Sequence, residues 1–205
     1  MPLDPISPPL PDDLTGLVGS RLCHDLISPL GAIGNGVELL AMSGARSGPE
    51  LDLIAQAVTS ANARLKFFRV AFGQATADQR LGMPEIEALL AETYRGSRLA
   101  VSWQATGDQA RLSVKLVLLG LLCLETAMPW GGTVTIEQEG AGWRLTAGAR
   151  KTKPDASLWT LLEGAEAQAP LSPAQVQFAL LAQEARRQGR VIGWDVAPEG
   201  ALITF

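Results

Sequence analysis

The sequence predicts an α+β protein, a helical hairpin followed by a mixed sheet that carries helices. Up to Gly73, apolar residues recur at alternating steps of three and four, the period of a packed helix. Beyond it, short runs rich in Val, Thr, Trp and Ile alternate with apolar helical stretches and Gly-containing turns. A chain of 205 residues, 47% hydrophobic and 19% charged, can bury a substantial core around these elements.

The first dozen residues carry Pro2, Pro5, Pro8, Pro9 and Pro11, so 1–12 reads as an extended tail. Asp12 or Asp13 can cap the helix that follows. Cys23, Leu26, Leu30, Ile33, Val37 and Leu40 then form a heptad seam. The stretch "SGARSGPE" breaks it, with Ser47 and Glu50 spaced as a capping box around Pro49. A second seam runs through Leu51, Ile54, Val58, Ala61, Leu65, Phe68 and Phe72, and Gly73 ends it. Two seams joined by a short turn predict an antiparallel hairpin over 13–74. One register pairs every seam position, setting Leu26 against Leu65, Leu30 against Ala61 and Ile33 against Val58. It puts His24 level with Phe67, close to Lys66 and Arg69.

Leu22 and Ile27 widen the apolar stripe beyond what a two-stranded seam needs. The preferred arrangement is a dimeric four-helix bundle, with Leu22, Leu26, Leu30, Ile33, Leu65 and Phe68 in its core. The alternative is that the second domain covers the stripe.

After a linker near "GQATADQRLGM", 82–205 reads as a second domain. Pro84–Arg95 and Ser113–Met128 are expected helices, and Leu99–Thr106 a strand. "GGTVTIEQEGAGWRLTAGA" is a strand pair around a glycine turn. Residues 155–164 and 172–189 read as helical, and "RVIGWDV" and "ALITF" as closing strands. Strands with helices on one side predict an α/β sandwich.

Charge and cysteine usage exclude several functions. The net charge is −4, with five basic and seven acidic side chains up to Gly73 and twelve and fourteen after it, so no segment suits a nucleic-acid backbone. Cys23 and Cys123, with a single histidine, cannot furnish a zinc site or a disulfide framework. The acidic, proline-rich start differs from a signal peptide, and the longest apolar run, Leu116–Leu124, is too short to cross a bilayer. A cytoplasmic protein is expected, with no membrane and no nucleic acid among its partners.

The chemistry concentrates at His24, the only histidine. It sits at a b position just outside the seam, facing water, with Ser28, Gly31 and Asn35 further along its face. Neutral imidazole, with an ordinary pKa of about 6.5, is a free nucleophile near neutrality and can take a phosphoryl group. Asp25 can hold the other ring nitrogen's proton, and Arg21, one turn earlier, can offset phosphoryl charge; with Ser28 they are the expected catalytic residues around the His24 phosphoacceptor. Pro29 lacks an N–H, which frees the Asp25 carbonyl and is expected to bend the helix. Small residues around the imidazole leave room for a partner, with Ile27, Gly31, Asn35, Lys66, Phe67 and Arg69 as candidate contacts.

The run "HDLISPL" resembles the H-box of sensor histidine kinases, H-[ED]-L-x-[TS]-P-L, which lies on the first helix of a dimerisation and phosphotransfer hairpin. The later order of elements resembles the ATP-binding domain of those kinases, and "LVLLGLLCLETAMPWGGTVTI" is similar to its N-box helix and following strand. The kinase asparagines that hold magnesium and phosphates are replaced by Gly120 and Leu124. "LTAGARKTKPD" lacks the aspartate of the adenine-binding D-x-G-x-G. An intact H-box beside a degenerate ATPase-like domain resembles the dimeric histidine phosphotransferases of the ChpT family. That resemblance implies that His24 takes phosphate from the receiver domain of a hybrid histidine kinase and passes it to response regulators. It implies no ATP and no cofactor of its own, the magnesium belonging to the receiver. The alternatives are a divergent ATP-dependent histidine kinase and a non-catalytic dimeric scaffold.

Overall fold

The computed structural model describes residues 14–42, 48–165 and 170–205. The tail, its capping aspartates and the Ser47 capping box lie outside them. Helix α1 (Leu14–Met42) continues through Pro29 and antiparallel α2 (Pro49–Ala71) packs along it. Gly48 is the N-cap of α2, Pro49 opens the helix, and Glu50 and Asp52 favour its N-terminal dipole.

Five glycines and a proline inside α1 weaken its intrinsic helicity, each glycine by about 1 kcal/mol. Packing therefore sustains this helix. Its inward residues are Gly16, Cys23 and Val37, which are buried, with Gly19, Ile27, Leu30 and Gly34 half-buried between them. A Cβ on Gly19 would stand 3.1 Å from the Phe72 carbonyl oxygen, so glycine there lets the two backbones approach closely. At Gly34 a Cβ would lie 3.4 Å from Val58.

These contacts place the register within one residue of the expectation but rotate α1. Cys23, Leu30 and Val37 face inward as expected, whereas Leu26, Ile33 and Leu40 turn towards solvent. They are about half exposed, at 48, 51 and 53%, and Gly34 rather than Ile33 opposes Val58. The physical reason is side-chain size, because the glycine-bearing stripe permits the closer approach.

The rest of the chain runs β1 (Arg80–Leu81), α3 (Met83–Tyr94), β2 (Leu99–Trp103), β3 (Gln109–Ala110), α4 (Arg111–Ala127), β4 (Gly132–Glu139) and β5 (Gly142–Gly148). It closes with α5 (Ala156–Trp159), two short 3-10 turns, α6 (Val176–Arg187), β6 (Gly193–Ala197) and β7 (Gly200–Thr204). Five strands form a sheet in the order β2-β4-β5-β7-β6, with β2 and β4 parallel and the other pairs antiparallel. The expected linker instead contains β1, which pairs with β3. Val134, Ile136, Leu145, Ala147, Ala201 and Ile203 alternate inward, and α4 covers them. A Cβ on Gly120 would stand 3.2 Å from a Leu145 methyl, which is how closely α4 approaches the sheet.

The second half of α2 belongs to this core. Ala63, Phe67, Val70 and Ala71 are buried, and α2 packs on both α3 and α4. Arg64 of α2 reaches both carboxylate oxygens of Glu125 on α4 at 3.1 and 3.2 Å, and the Tyr94 hydroxyl of α3 donates to the same carboxylate. Two cations of α4 satisfy carbonyls at the end of α2, Arg111 bonding to Arg69 O and Lys115 to Gly73 O, each at 2.9 Å.

Candidate functional site

With about 100° of turn per helical residue, His24 lies to one side of inward-facing Cys23 and Leu22 to the other. In an antiparallel pair, a residue one step after an inward position emerges on the same flank of either helix. His24 follows Cys23 and Lys66 follows Leu65, so the two share a flank. Ser28, Gly31 and Asn35 extend it along α1, with Ser28 and Asn35 exposed. Among the described residues, a Cβ on Gly31 would have nothing within 4 Å beyond its chain neighbours and its own helix backbone.

The imidazole itself is 86% exposed. Its Nδ1 lies 3.1 Å from Asp25 Oδ1, and Arg21 Nε donates to Asp25 Oδ2 at 2.6 Å. An ionised carboxylate only accepts hydrogen bonds, so Nδ1 carries the proton and Nε2 keeps its lone pair. The hydrogen bond from His24, and then that from Arg21, hold the Asp25 carboxyl below its ordinary range. The arrangement presents an oriented, unencumbered nitrogen nucleophile at the protein surface.

The other expected contacts divide. Arg69 is exposed and close enough to Cys23 to offset part of the rise that burial gives its thiol. Lys66 is exposed but engaged, its Nζ lying 3.0 Å from Glu92 of α3. Ile27 is half-buried at the edge of the α2-facing stripe. Phe67 is not a surface residue: it has no exposure and packs edge-on to Phe68 and Tyr94 in the C-terminal core. Helical phase explains the correction, since Phe67 lies two steps past inward Leu65 and points away from α1. Among the expected dimer-core residues, Leu22, Leu26 and Ile33 are exposed, whereas Leu30, Leu65 and Phe68 are half-buried within the chain.

Sequence reasoning missed the contribution of α3 to this flank. A groove of about 260 Å³ runs between α2 and α3, lined by Lys66, Arg69, Glu85 and Glu92 over Val70, Leu81, Ile86 and Leu89. The apolar period of α3 was visible in the sequence, but no motif tied that helix to His24.

A family model described as the histidine phosphotransferase C-terminal domain matches residues 83–200. The protein phosphotransferase ChpT of Brucella abortus (strain 2308) is 35% identical over 184 residues, 84% of this chain and 87% of that protein. The chain belongs to the ChpT family of histidine phosphotransferases. A solved bacterial phosphotransferase, whose structure is known at 1.7 Å, is similar in fold as well. It superposes with a TM-score of 0.70 at 29% identity, over 96% of this chain and 97% of its own. The matched family domain begins at Met83, beyond the hairpin, so the role of His24 rests on the local geometry described above.

Proposed function

We propose that this chain relays phosphoryl groups between receiver domains through His24. One observation carries the reading: Asp25 holds Nδ1 while the ring stands open to solvent with Nε2 free. In the forward step Nε2 attacks the phosphorus of a receiver's aspartyl phosphate. The P–N bond forms as the P–O bond breaks, and the electron pair leaves with the receiver carboxylate. The ring then bears the phosphoryl group on Nε2 and a proton on Nδ1, and the adjacent Asp25 carboxylate offsets its positive charge. The reverse step, with a second receiver's aspartate as nucleophile, returns the electron pair to Nε2. The donor in this reading is the receiver of a hybrid kinase and the acceptors are response regulators, all cytoplasmic. Among the described residues no helix is long and apolar enough to cross a membrane.

Magnesium comes from the receiver in this scheme, and ATP has no part. Where kinases carry asparagines, this chain has Gly120 set against Leu145, and Leu124 with no exposure. Neither can hold a metal or a phosphate. Trp159, buried between Phe178 and Trp194 at ring distances of 5.6 and 5.4 Å, fills space beside the sheet. The divisions 13–74 and 82–205 become a phosphotransfer hairpin and a degenerate ATPase-like domain. Homodimerisation through the exposed stripe of Val18, Leu22, Leu26, Ile33 and Leu40 completes the reading. That stripe lies on the flank opposite His24, so a second copy would leave the imidazole open.

The deciding experiment mixes the protein with receiver domains phosphorylated by acetyl phosphate and magnesium. Acid-labile, base-stable label should appear on the wild type and be absent from His24→Ala. Label retained in that variant overturns the relay, no label on the wild type favours a scaffold, and calorimetric ATP binding at micromolar affinity favours a kinase.

A further inference from the structure

The two oxygens of Asp25 have different partners, and the Arg21 guanidinium is committed to one of them. We propose that Arg21 is a positioning residue for phosphoryl transfer, holding Asp25 Oδ2 so that Oδ1 stays on His24 Nδ1 and keeps Nε2 as the nucleophile. This rests on the relay reading of His24. Arg21 and Asp25 are one turn apart on α1, and the Nε–Oδ2 distance of 2.6 Å is short for a charge-assisted hydrogen bond. The carboxylate is 46% exposed and the imidazole 86% exposed, so burial does not lock either in place. A terminal carboxylate torsion is broad and two-fold, and water competes for both oxygens. Without Arg21 the carboxylate rotates, the Nδ1–H···Oδ1 bond is made only part of the time, and the proton samples both ring nitrogens. Molecules carrying the proton on Nε2 have no lone pair there to attack phosphorus.

Arg21 thus acts through Asp25 rather than by touching the phosphoryl group. As an isolated surface ion pair it contributes little to stability, so its removal leaves the fold intact. The side chain is exposed, and methionine is close to arginine in helix propensity, which makes Arg21→Met a clean probe.

The single histidine makes a direct test possible, because the imidazole ¹⁵N signals of the intact protein need no assignment. In wild type the neutral ring is expected predominantly as the Nδ1–H tautomer. Arg21→Met should move the two ¹⁵N shifts towards a mixture and slow label uptake from phosphorylated receivers about tenfold, and Arg21→Lys should restore much of both. Unchanged shifts in Arg21→Met overturn the proposal. Altered shifts with an unchanged transfer rate overturn it too, because orientation would then not limit transfer. Slowed transfer that Arg21→Lys does not rescue, with wild-type shifts, means instead that Arg21 touches the receiver. A wild type that takes no label from any receiver removes the relay reading itself and this role with it, whereas the other outcomes leave the relay standing.

Discussion

Phe67 of α2 and Tyr94 of α3 meet edge to face, with ring centroids 6.1 Å apart. The hairpin and the C-terminal domain therefore share one core at this point, and α2 serves both. Phe67→Ala removes a side chain with no exposure and should cost about 3–5 kcal/mol of unfolding free energy. Urea denaturation followed by tryptophan fluorescence reads this, since all five tryptophans lie beyond α2. A change confined to the hairpin, with the C-terminal transition unmoved, would contradict the shared core.

Lys115 fastens the same junction from the other side. Its ammonium is buried, bonds to the Gly73 carbonyl at 2.9 Å and lies 3.5 Å from the buried carboxylate of Glu184 on α6. Lys115→Met fills similar volume but leaves the Gly73 carbonyl without that donor and removes a buried cation 3.5 Å from the carboxylate. Breaking a buried pair on one side costs about 3–5 kcal/mol, and Arg187 at 3.7 Å and the Gln188 amide at 2.9 Å moderate the loss here. The expected result is a clear drop in melting temperature that Lys115→Met/Glu184→Met partly reverses. Equal stability of the single variant and the wild type would contradict this picture.

The heptad pattern made the hairpin legible, and alternating runs made the five-stranded sheet legible to within a few residues at most element ends. The rotation of α1 was not. Two stripes share Cys23, Leu30 and Val37, and only the size of the intervening residues, Ile27 and Gly34 against Leu26 and Ile33, decides which one faces α2. A hydrophobicity pattern ranks leucine above glycine, whereas helix packing here favours the residue that lets backbones approach. The burial of Phe67 has a separate cause: it lies on the face of α2 turned from α1 towards Tyr94 of α3, and a seam between two helices carries no sign of a third. The pairing of His24 with Asp25 was readable from adjacency, but the commitment of Arg21 to Asp25 depends on rotamers that no spacing specifies.

That rotation decides where the proposed dimerisation is best tested. Leu30 lies partly against α2, so a charge there would disturb the hairpin itself. Leu26 and Ile33 are about half exposed on the outer stripe and better isolate the proposed contact between copies. Leu26→Glu/Ile33→Glu should leave the helical circular dichroism of the chain intact and convert a dimer to a monomer by light scattering. A doubly substituted protein that stays dimeric means that the copies meet elsewhere.

The approach of the receiver is tested at Gly31. His24 and Gly31 are seven residues apart on one flank of α1, about 10.5 Å along the helix axis. Among the described residues, a Cβ at Gly31 would meet nothing within 4 Å beyond its chain neighbours and its own helix backbone, whereas one at Gly19 would press on Phe72. Arginine is a better helix former than glycine by about 1 kcal/mol, and Gly31→Arg should fold and self-associate as the wild type does. Its long cationic side chain would stand on the surface that a receiver must cover to bring an aspartyl phosphate to Nε2. Phosphotransfer should then slow by at least about tenfold by the arithmetic of a lost 1.4 kcal/mol, while the ¹⁵N shifts of His24 stay unchanged. Wild-type transfer rates in this variant would mean that the receiver reaches the imidazole from the Arg21 end of the helix, away from Gly31 and Asn35.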